Sequence, residues 1–167
     1  MKRYLLIGLC WLVGSCWAES ASFSVYGTLV NGACTLSPED SEIDVNMRRW
    51  SPGSAEVGTR GSAVPFVIHL TDCDPTVAAT VTATFSGTPD AHNPAILALD
   101  SSSVASGVAI ALSDQNSRDI PLTAPTYIWR LVAGANDIPL QAQVEVVRQP
   151  VVPGNFSATL NFELSYP

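Results

Sequence analysis

The sequence predicts an all-β sandwich, and three features carry that prediction. Short stretches in which apolar and polar residues alternate recur along the chain, which is the period-two pattern of strands with one buried face. Clusters of Gly, Pro, Asn, Asp and Ser separate these stretches, as turns separate strands. After residue 18 no stretch keeps a helical apolar pattern over 10 or more residues. Many short strands without helices are typical of a sandwich.

The first 18 residues are predicted to be an export signal that is cleaved. Lys2 and Arg3 give a positive start, an apolar run covers residues 5–13, and a small residue, Ala18, precedes the expected cut. The run is shorter than the roughly 20 apolar residues that cross a bilayer. We therefore expect a mature chain of 149 of the 167 residues, covering 19–167, with no transmembrane segment.

The mature chain is acidic and contains no lysine. It keeps 6 Arg against 15 Asp and Glu, a net charge of −9. The basic surface typical of nucleic-acid-binding proteins is missing, and attraction to an anionic membrane surface is not expected. We therefore predict neither nucleic acid nor a membrane surface as a partner.

Cys34 and Cys73 are the two cysteines of the mature chain, and an even count in an exported protein predicts a disulfide. They lie 39 residues apart. Closing such a loop is worth about 4 kcal/mol in the chain-entropy model. Zinc would need two further soft ligands, and only His69 and His92 are available. No metal and no cofactor are predicted.

The first mature stretch alternates over residues 21–29 and precedes both cysteines. Its apolar face consists of Ala21, Phe23, Val25, Gly27 and Leu29. We interpret this stretch as an arm rather than as core, because it lies ahead of the first residue that could anchor a folded domain. From the residues alone, the arm could pack on its own domain or on another molecule.

The domain itself is expected to begin at Cys34. A turn is predicted over 37–40, and an irregular connection or short edge strand over 46–62, in which Arg48 and Arg49 are solvated surface. Strands or short apolar runs are predicted over 66–71, 80–85, 96–99, 108–112, 127–132 and 140–146.

The last predicted strand, over 155–166, has the most regular alternation in the chain. Its apolar face consists of Phe156, Ala158, Leu160, Phe162, Leu164 and Tyr166, and Pro167 follows. With no further strand after it, a row of backbone groups and a flank of the core would lack partners. The arm has the pattern needed to cover such a groove.

Catalysis is not predicted. The chain has no Gly-x-Ser-x-Gly elbow, although a Ser-His-Asp arrangement built from distant residues stays open. Asp72 and Asp74 are interpreted as turn and capping carboxylates at a strand end. Trp50 and Trp129 could line a sugar site, but the default expectation is one core tryptophan and one surface tryptophan.

Several segments form a set in a fixed order and spacing, namely the arm Phe23–Leu29 with its central glycine ahead of Cys34, then Phe66–Cys73, Phe85-Ser86-Gly87, Gly107–Asp114, Gly154–Leu160 and the penultimate Tyr166. In this order and spacing they resemble the subunits of chaperone–usher fimbriae, the type 1 pilus family, over essentially the whole mature chain.

The resemblance implies an incomplete immunoglobulin-like β-sandwich that lacks its last strand, with an N-terminal donor-strand arm over 19–33 and a pilin domain over 34–167. A periplasmic chaperone would fill the groove beside the last strand and anchor the carboxylate of Pro167. At the outer-membrane usher, the arm of the next subunit would replace it by donor-strand exchange. The implied function is that of a structural subunit, exported through the periplasm to the cell-surface fimbrium, which contributes to cell adhesion beside neighbouring subunits.

Two alternatives remain at this stage. The irregular stretch over 45–60, the short arm and the final Pro167 resemble a minor or adaptor subunit more than a main rod subunit. The alternative to a fimbrial subunit is a free-standing secreted carbohydrate-binding sandwich, which would use Trp50 or Trp129 and complete its own sheet with the arm.

Overall fold

Two antiparallel β-sheets make up the computed structural model, which describes residues 32–122 and 127–167. Its strands are β1 (Thr35–Leu36), β2 (Val64–Cys73), β3 (Thr80–Gly87), β4 (Val108–Asp114), β5 (Tyr127–Arg130), β6 (Gly134–Val146) and β7 (Leu160–Ser165). A 3-10 turn over Pro38–Ser41 is the one helical segment in these residues. The all-β prediction is confirmed.

The strand order leaves β7 at an edge. One sheet has the order β1-β2-β6-β4, and the other has the order β5-β3-β7. β7 pairs with β3 from Thr82↔Ser165 to Gly87↔Leu160, and within the described residues it has no strand on its other side. The sandwich is thus incomplete at this edge, as the resemblance implied.

The core lies between the two sheets and follows the predicted alternation. Its largest fully buried apolar side chains come from β2, β3 and β6, and they are Ile68, Leu70, Ile138, Leu140, Val81 and Val146. On β2 the inward residues are those predicted, and His69 between them is exposed.

The predicted disulfide between Cys34 and Cys73 is present. It joins the start of β1 to the end of β2, where Thr35 already pairs with Thr71. The amide of Asp74 also donates to the carbonyl of Ala33 at 2.7 Å. The first residues of the domain are therefore fixed to the sheet by a covalent bond and by backbone hydrogen bonds.

The last strand is shorter than predicted, because it begins at Leu160 instead of residue 155. The five residues before it pair with an irregular segment rather than with a strand. Ser157 accepts from the Asp100 amide at 2.8 Å, and Asn155 accepts from the Val104 amide at 2.9 Å. The apolar alternation of this stretch persists, but its partner has no regular register.

Two other elements also differ from their predicted form. β6 begins at Gly134 rather than near 140, since the side chain of Asn136 holds the preceding turn through two hydrogen bonds to the backbone of Val132, at 2.9 and 2.7 Å. The run over 96–99 is not a strand, although Leu97 exchanges two backbone hydrogen bonds with Ile110 on β4.

Arg60 forms an ion-pair network on the outer side of the four-stranded sheet. Its Nε donates to Glu145 Oε2 at 2.6 Å, and its two terminal nitrogens donate to the carboxylate of Asp119. Glu145 is 6% exposed and its Oε1 also accepts from the side-chain Nδ2 of Asn93 at 3.3 Å. A buried carboxylate needs such partners, because removing a charge from water is costly. Sequence reasoning did not identify this network.

Replacing Arg60 with alanine is expected to lower the free energy of unfolding by about 3 kcal/mol, because Glu145 is left as a buried charge without its cation. Urea unfolding of the mature chain measures the loss. Asp119→Asn is the matched control, and it should cost about 1 kcal/mol or less because that carboxylate is half exposed. Equal losses in the two variants would contradict a dominant Arg60–Glu145 pair.

The same network predicts a pH dependence. Hydrogen bonds from Arg60 lower the pKa of Asp119 below its ordinary value of 3.8. A carboxyl whose pKa is lowered by folding stabilises the folded chain above its unfolded pKa, and this stabilisation is lost as the pH falls through the lowered value.

The difference in urea midpoint between the wild-type chain and Asp119→Asn should therefore be constant from about pH 7 to about pH 5 and shrink below about pH 4. Midpoints measured across this range test the expectation. A difference that survives unchanged at about pH 2 would show that the carboxylate charge of Asp119 is not its source.

Candidate functional site

A groove of about 1190 Å³ opens along the free edge of β7. One wall is residues 153–162, which include the start of β7, and the other is residues 41–50. The floor is made by core side chains of both sheets, namely Phe66, Phe85, Leu97, Ile110, Leu112 and Ala142. The groove is therefore a long opening into the hydrophobic core.

The apolar residues predicted for the last strand form the first wall and its continuation. Phe156, Ala158, Leu160, Phe162, Leu164 and Tyr166 are all partly buried and pack against the core, whereas the residues between them are exposed. Those from Phe156 to Phe162 line the groove, and Pro167 is exposed at the end of the chain. Burial raises the pKa of the Tyr166 hydroxyl.

The hydrogen bonds of this wall lie on the side away from the groove. The carbonyls of Asn155 and Ser157 and the amide of Thr159 bond to residues 100–105. Within the described residues, the backbone groups of Phe156 and Ala158 make no hydrogen bond. Alternate residues of a strand direct their backbone groups to opposite edges. The groove side of this wall therefore presents open donors and acceptors, which can template another strand.

The second wall also has the pattern of a strand without a partner. Ile43, Val45 and Met47 are partly buried, and Glu42, Asp44 and Asn46 between them are exposed. In the described residues the stretch 42–47 makes no backbone–backbone hydrogen bond. Sequence reasoning missed this wall, although the alternation from Ile43 to Met47 was a signal that could have found it.

The second wall is held at its two ends. At the first end, the buried carboxylate of Asp40 accepts from the backbone amide of His69 and lies 2.9 Å from its Nδ1. At the other end, the indole of Trp50 packs on Gly61, where a Cβ would lie 3.3 Å from the ring. Gly61 in turn donates to the Val144 carbonyl of β6 at 2.8 Å. The middle of the wall is thus positioned without being paired.

The two walls run in opposite directions, as their contacts with the two ends of β2 indicate. The second wall starts beside His69 and ends at Gly61, so it runs against β2. The continuation of the first wall along β7 leads to Tyr166, whose ring lies 3.4 Å from where a Cβ of Gly32 would be, close to Cys34. A strand between them would be parallel to one wall and antiparallel to the other.

The remaining candidates from the sequence do not converge on a second site. Trp129 stacks obliquely on Tyr127, with ring centroids 6.4 Å apart. Both Trp129 and Trp50 are partly buried against the core, so the expectation of one core and one surface tryptophan is wrong. Asp74 accepts from the backbone and hydroxyl of Thr76 at 2.9 and 2.6 Å, as expected of a turn carboxylate.

Neither a metal centre nor a membrane-spanning helix is found in residues 32–122 and 127–167. No group of three or more His, Cys, Asp or Glu in these ranges could hold a metal ion. None of the helical structure in these ranges is long and apolar enough to cross a membrane. The predicted arm residues Ala21, Phe23, Val25, Gly27 and Leu29 lie outside the described residues.

Two comparisons of structure support the fold. A chaperone–usher pilus structure matches 93% of this chain and 100% of its own, with a TM-score of 0.70 at 21% identity. The P pilus rod subunit PapA matches 81% of this chain and 100% of its own, with a TM-score of 0.69 at 22% identity. Both are pilus proteins, and the likeness establishes the incomplete immunoglobulin-like fold.

Comparisons of sequence establish the family. A fimbrial subunit type 1 of Salmonella typhimurium is 34% identical over 146 residues, which is 84% of this chain and 79% of the relative. The fimbrial-like protein YcbV of Escherichia coli K12 is 31% identical over an alignment of 172 positions, which covers 99% of this chain and 99% of the relative. The sequence profile described as "Fimbrial protein" matches residues 23–167. The chain belongs to the fimbrial protein family, whose members are structural subunits and not enzymes.

Proposed function

We propose that the chain is a subunit of a chaperone–usher fimbria and polymerises by donor-strand exchange. One observation carries the proposal. Two strand-like segments with open backbone edges, 42–47 and 156–164, stand on either side of an apolar groove. Strand addition satisfies both edges at once, and it is a general mode of recognition in which main-chain hydrogen bonds supply affinity.

The arm over 19–33 is the proposed donor, inserted into the groove of a neighbouring subunit. The unpaired stretch 42–47 of the second wall spans about 20 Å at the rise of a strand, and the nine residues of the alternating stretch 21–29, at about 30 Å, exceed that length. Phe23, Val25 and Leu29 would each contribute about 1.5–3 kcal/mol on burial, before the cost of ordering the arm. Gly27 would permit a close approach of the two backbones, and Ala21 completes the inserted face.

The same proposal assigns a role to each of the other segments of the chain. Residues 1–18 direct export and are removed, 19–33 form the arm, and 34–167 form the pilin domain. In the periplasm a chaperone fills the groove and binds the carboxylate of Pro167, and the outer-membrane usher then directs the exchange. The fibre reaches the cell surface and supports adhesion. The position in the fibre is that of a minor or adaptor subunit, supported by the irregular stretch over 45–60 with its Arg48-Arg49 pair.

Hydrogen exchange tests whether the groove accepts a strand. The amides of Phe156 and Ala158 are expected to exchange fast in a mature chain that lacks residues 19–29, in which no arm fills the groove, whereas that of Thr159, bonded to Asp100 at 3.2 Å, is protected. A synthetic peptide of residues 21–29 should slow exchange at Phe156 and Ala158 by at least about tenfold, because it supplies their partners. A peptide in which Gly27 is replaced by isoleucine is the matched control, and it should protect less. Unchanged exchange with both peptides would contradict strand addition.

Deleting residues 19–29 tests the role of the arm in cells. The deletion is expected to remove the chain from sheared fimbriae, because the subunit can no longer fill the groove of its acceptor. Immunoblotting of the sheared and periplasmic fractions measures this. Ser24→Ala, on the outward face of the arm, is the control and should assemble normally. Normal amounts of the deleted chain in fimbriae would refute the donor role.

A further inference from the structure

We infer that the groove selects a strand of another protein, one that carries a basic side chain at one end and an acidic side chain at the other, in preference to the arm of this chain. The inference rests on the proposed function and adds to it the chemistry of the preferred partner. It is carried by the charges along the rim of the groove.

The rim is acidic at one end and basic at the other. Glu42 and Asp44 are exposed near the start of the second wall, and Arg48 and Arg49 are exposed near its end. Because the walls run in opposite directions, the exposed Glu163 near the end of β7 lies toward the same end as Glu42. The charged side chains of the rim are therefore segregated.

These charges are available to an occupant. In the described parts of the chain, the side chains of Glu42, Asp44, Arg48, Arg49 and Glu163 make no ion pair and no hydrogen bond, and Arg48 uses only its backbone amide, which donates to Asn46. Asp44 and Arg48 are four positions apart in the chain, which is about 13 Å in an extended conformation. This distance exceeds the screening length of about 8 Å at physiological salt. The two ends of the rim therefore do not neutralise each other.

Asp100 is a further carboxylate near the first wall, and it lies on the side of the wall that is turned away from the groove. Asp100 accepts from the backbone and hydroxyl of Thr159, both at 3.2 Å, within the segment that bonds the edge turned away from the groove. It therefore belongs to the support of the wall and does not alter the sign of the basic end of the rim.

A strand in the groove would place its outward side chains beside those of the rim. Opposite charges at facing positions of neighbouring strands are favourable, and like charges are unfavourable. The outward residues of this chain's own arm are Ser22, Ser24, Tyr26 and Thr28, which are uncharged. The arm of this chain therefore forms no favourable charge pair with the rim. A strand with a basic side chain beside the acidic end of the rim and an acidic side chain beside the basic end forms such pairs at both ends.

Three synthetic peptides test the inference against the mature chain lacking residues 19–29, which has no arm to compete for the groove. The first is residues 21–29 unchanged. The second carries Ser22→Lys and Thr28→Glu, and the third carries Ser22→Glu and Thr28→Lys. The second and third have the same composition and net charge, and they differ only in the direction of their charges. Fluorescence anisotropy of labelled peptides gives the dissociation constants at low salt and at about 1 M salt, where the screening length falls to about 3 Å.

One charged peptide is expected to bind about three to ten times more tightly than the unchanged peptide, and its isomer more weakly, with the difference largely lost at high salt. The isomer with the lower dissociation constant also shows in which direction the strand inserts. The ranking should reverse in a chain carrying Glu42→Lys, Asp44→Lys, Arg48→Glu and Arg49→Glu, all of which are exposed substitutions.

Equal affinities for the two isomers would overturn the charge selection while leaving strand addition intact. An unchanged peptide that binds more tightly than both isomers would do the same, and would favour a second copy of this chain as the occupant. Failure of all three peptides to bind would refute the proposed function and this inference together.

Discussion

The unsatisfied edge of β7 is the constraint on which the rest of the structure depends. Backbone amides and carbonyls at a buried strand edge need partners, since an unpaired group removed from water costs about as much as a lost hydrogen bond. In the residues that the structure describes, the first wall uses only its outer edge, through residues 100–105. The second wall repeats the pattern with apolar side chains toward the core. A further strand in this apolar groove would supply partners to the open edges on both sides and is therefore expected to stabilise it.

The covalent bond and the ion pair that fasten the fold lie away from the groove and leave its edges unpaired. The disulfide joins β1 to β2, and the Arg60–Glu145 pair fastens the loop before β2 to β6. Asp40 and Trp50 fix the two ends of the second wall without pairing its middle. These contacts involve the four-stranded sheet and the ends of the second wall, and they leave the groove edge of the first wall unpaired in the described residues.

Sequence reasoning recovered the elements with period-two patterns and missed the contacts that join distant residues. The alternation around Phe66, Thr80 and Leu160 is local, so it predicts strands and their inward faces. The pairing of Cys34 with Cys73 followed from an even count. The Arg60 network could not be predicted, because Asn93, Asp119 and Glu145 meet only through the fold. The second wall was overlooked because its three apolar residues are followed by Arg48-Arg49, which interrupts the alternation.

The disulfide has a mechanical consequence for any fibre built from this chain. A pulling force applied ahead of Cys34 enters the sandwich at that residue and passes through a covalent bond to Cys73 at the end of β2. β2 pairs with β6 continuously from Val64 to Leu70 and again at Cys73, so the load is spread over a row of backbone hydrogen bonds that resist shear together. β1, which is two residues long, is bypassed and is not peeled from the sheet. The tensile path of the subunit therefore runs through its best-paired strands.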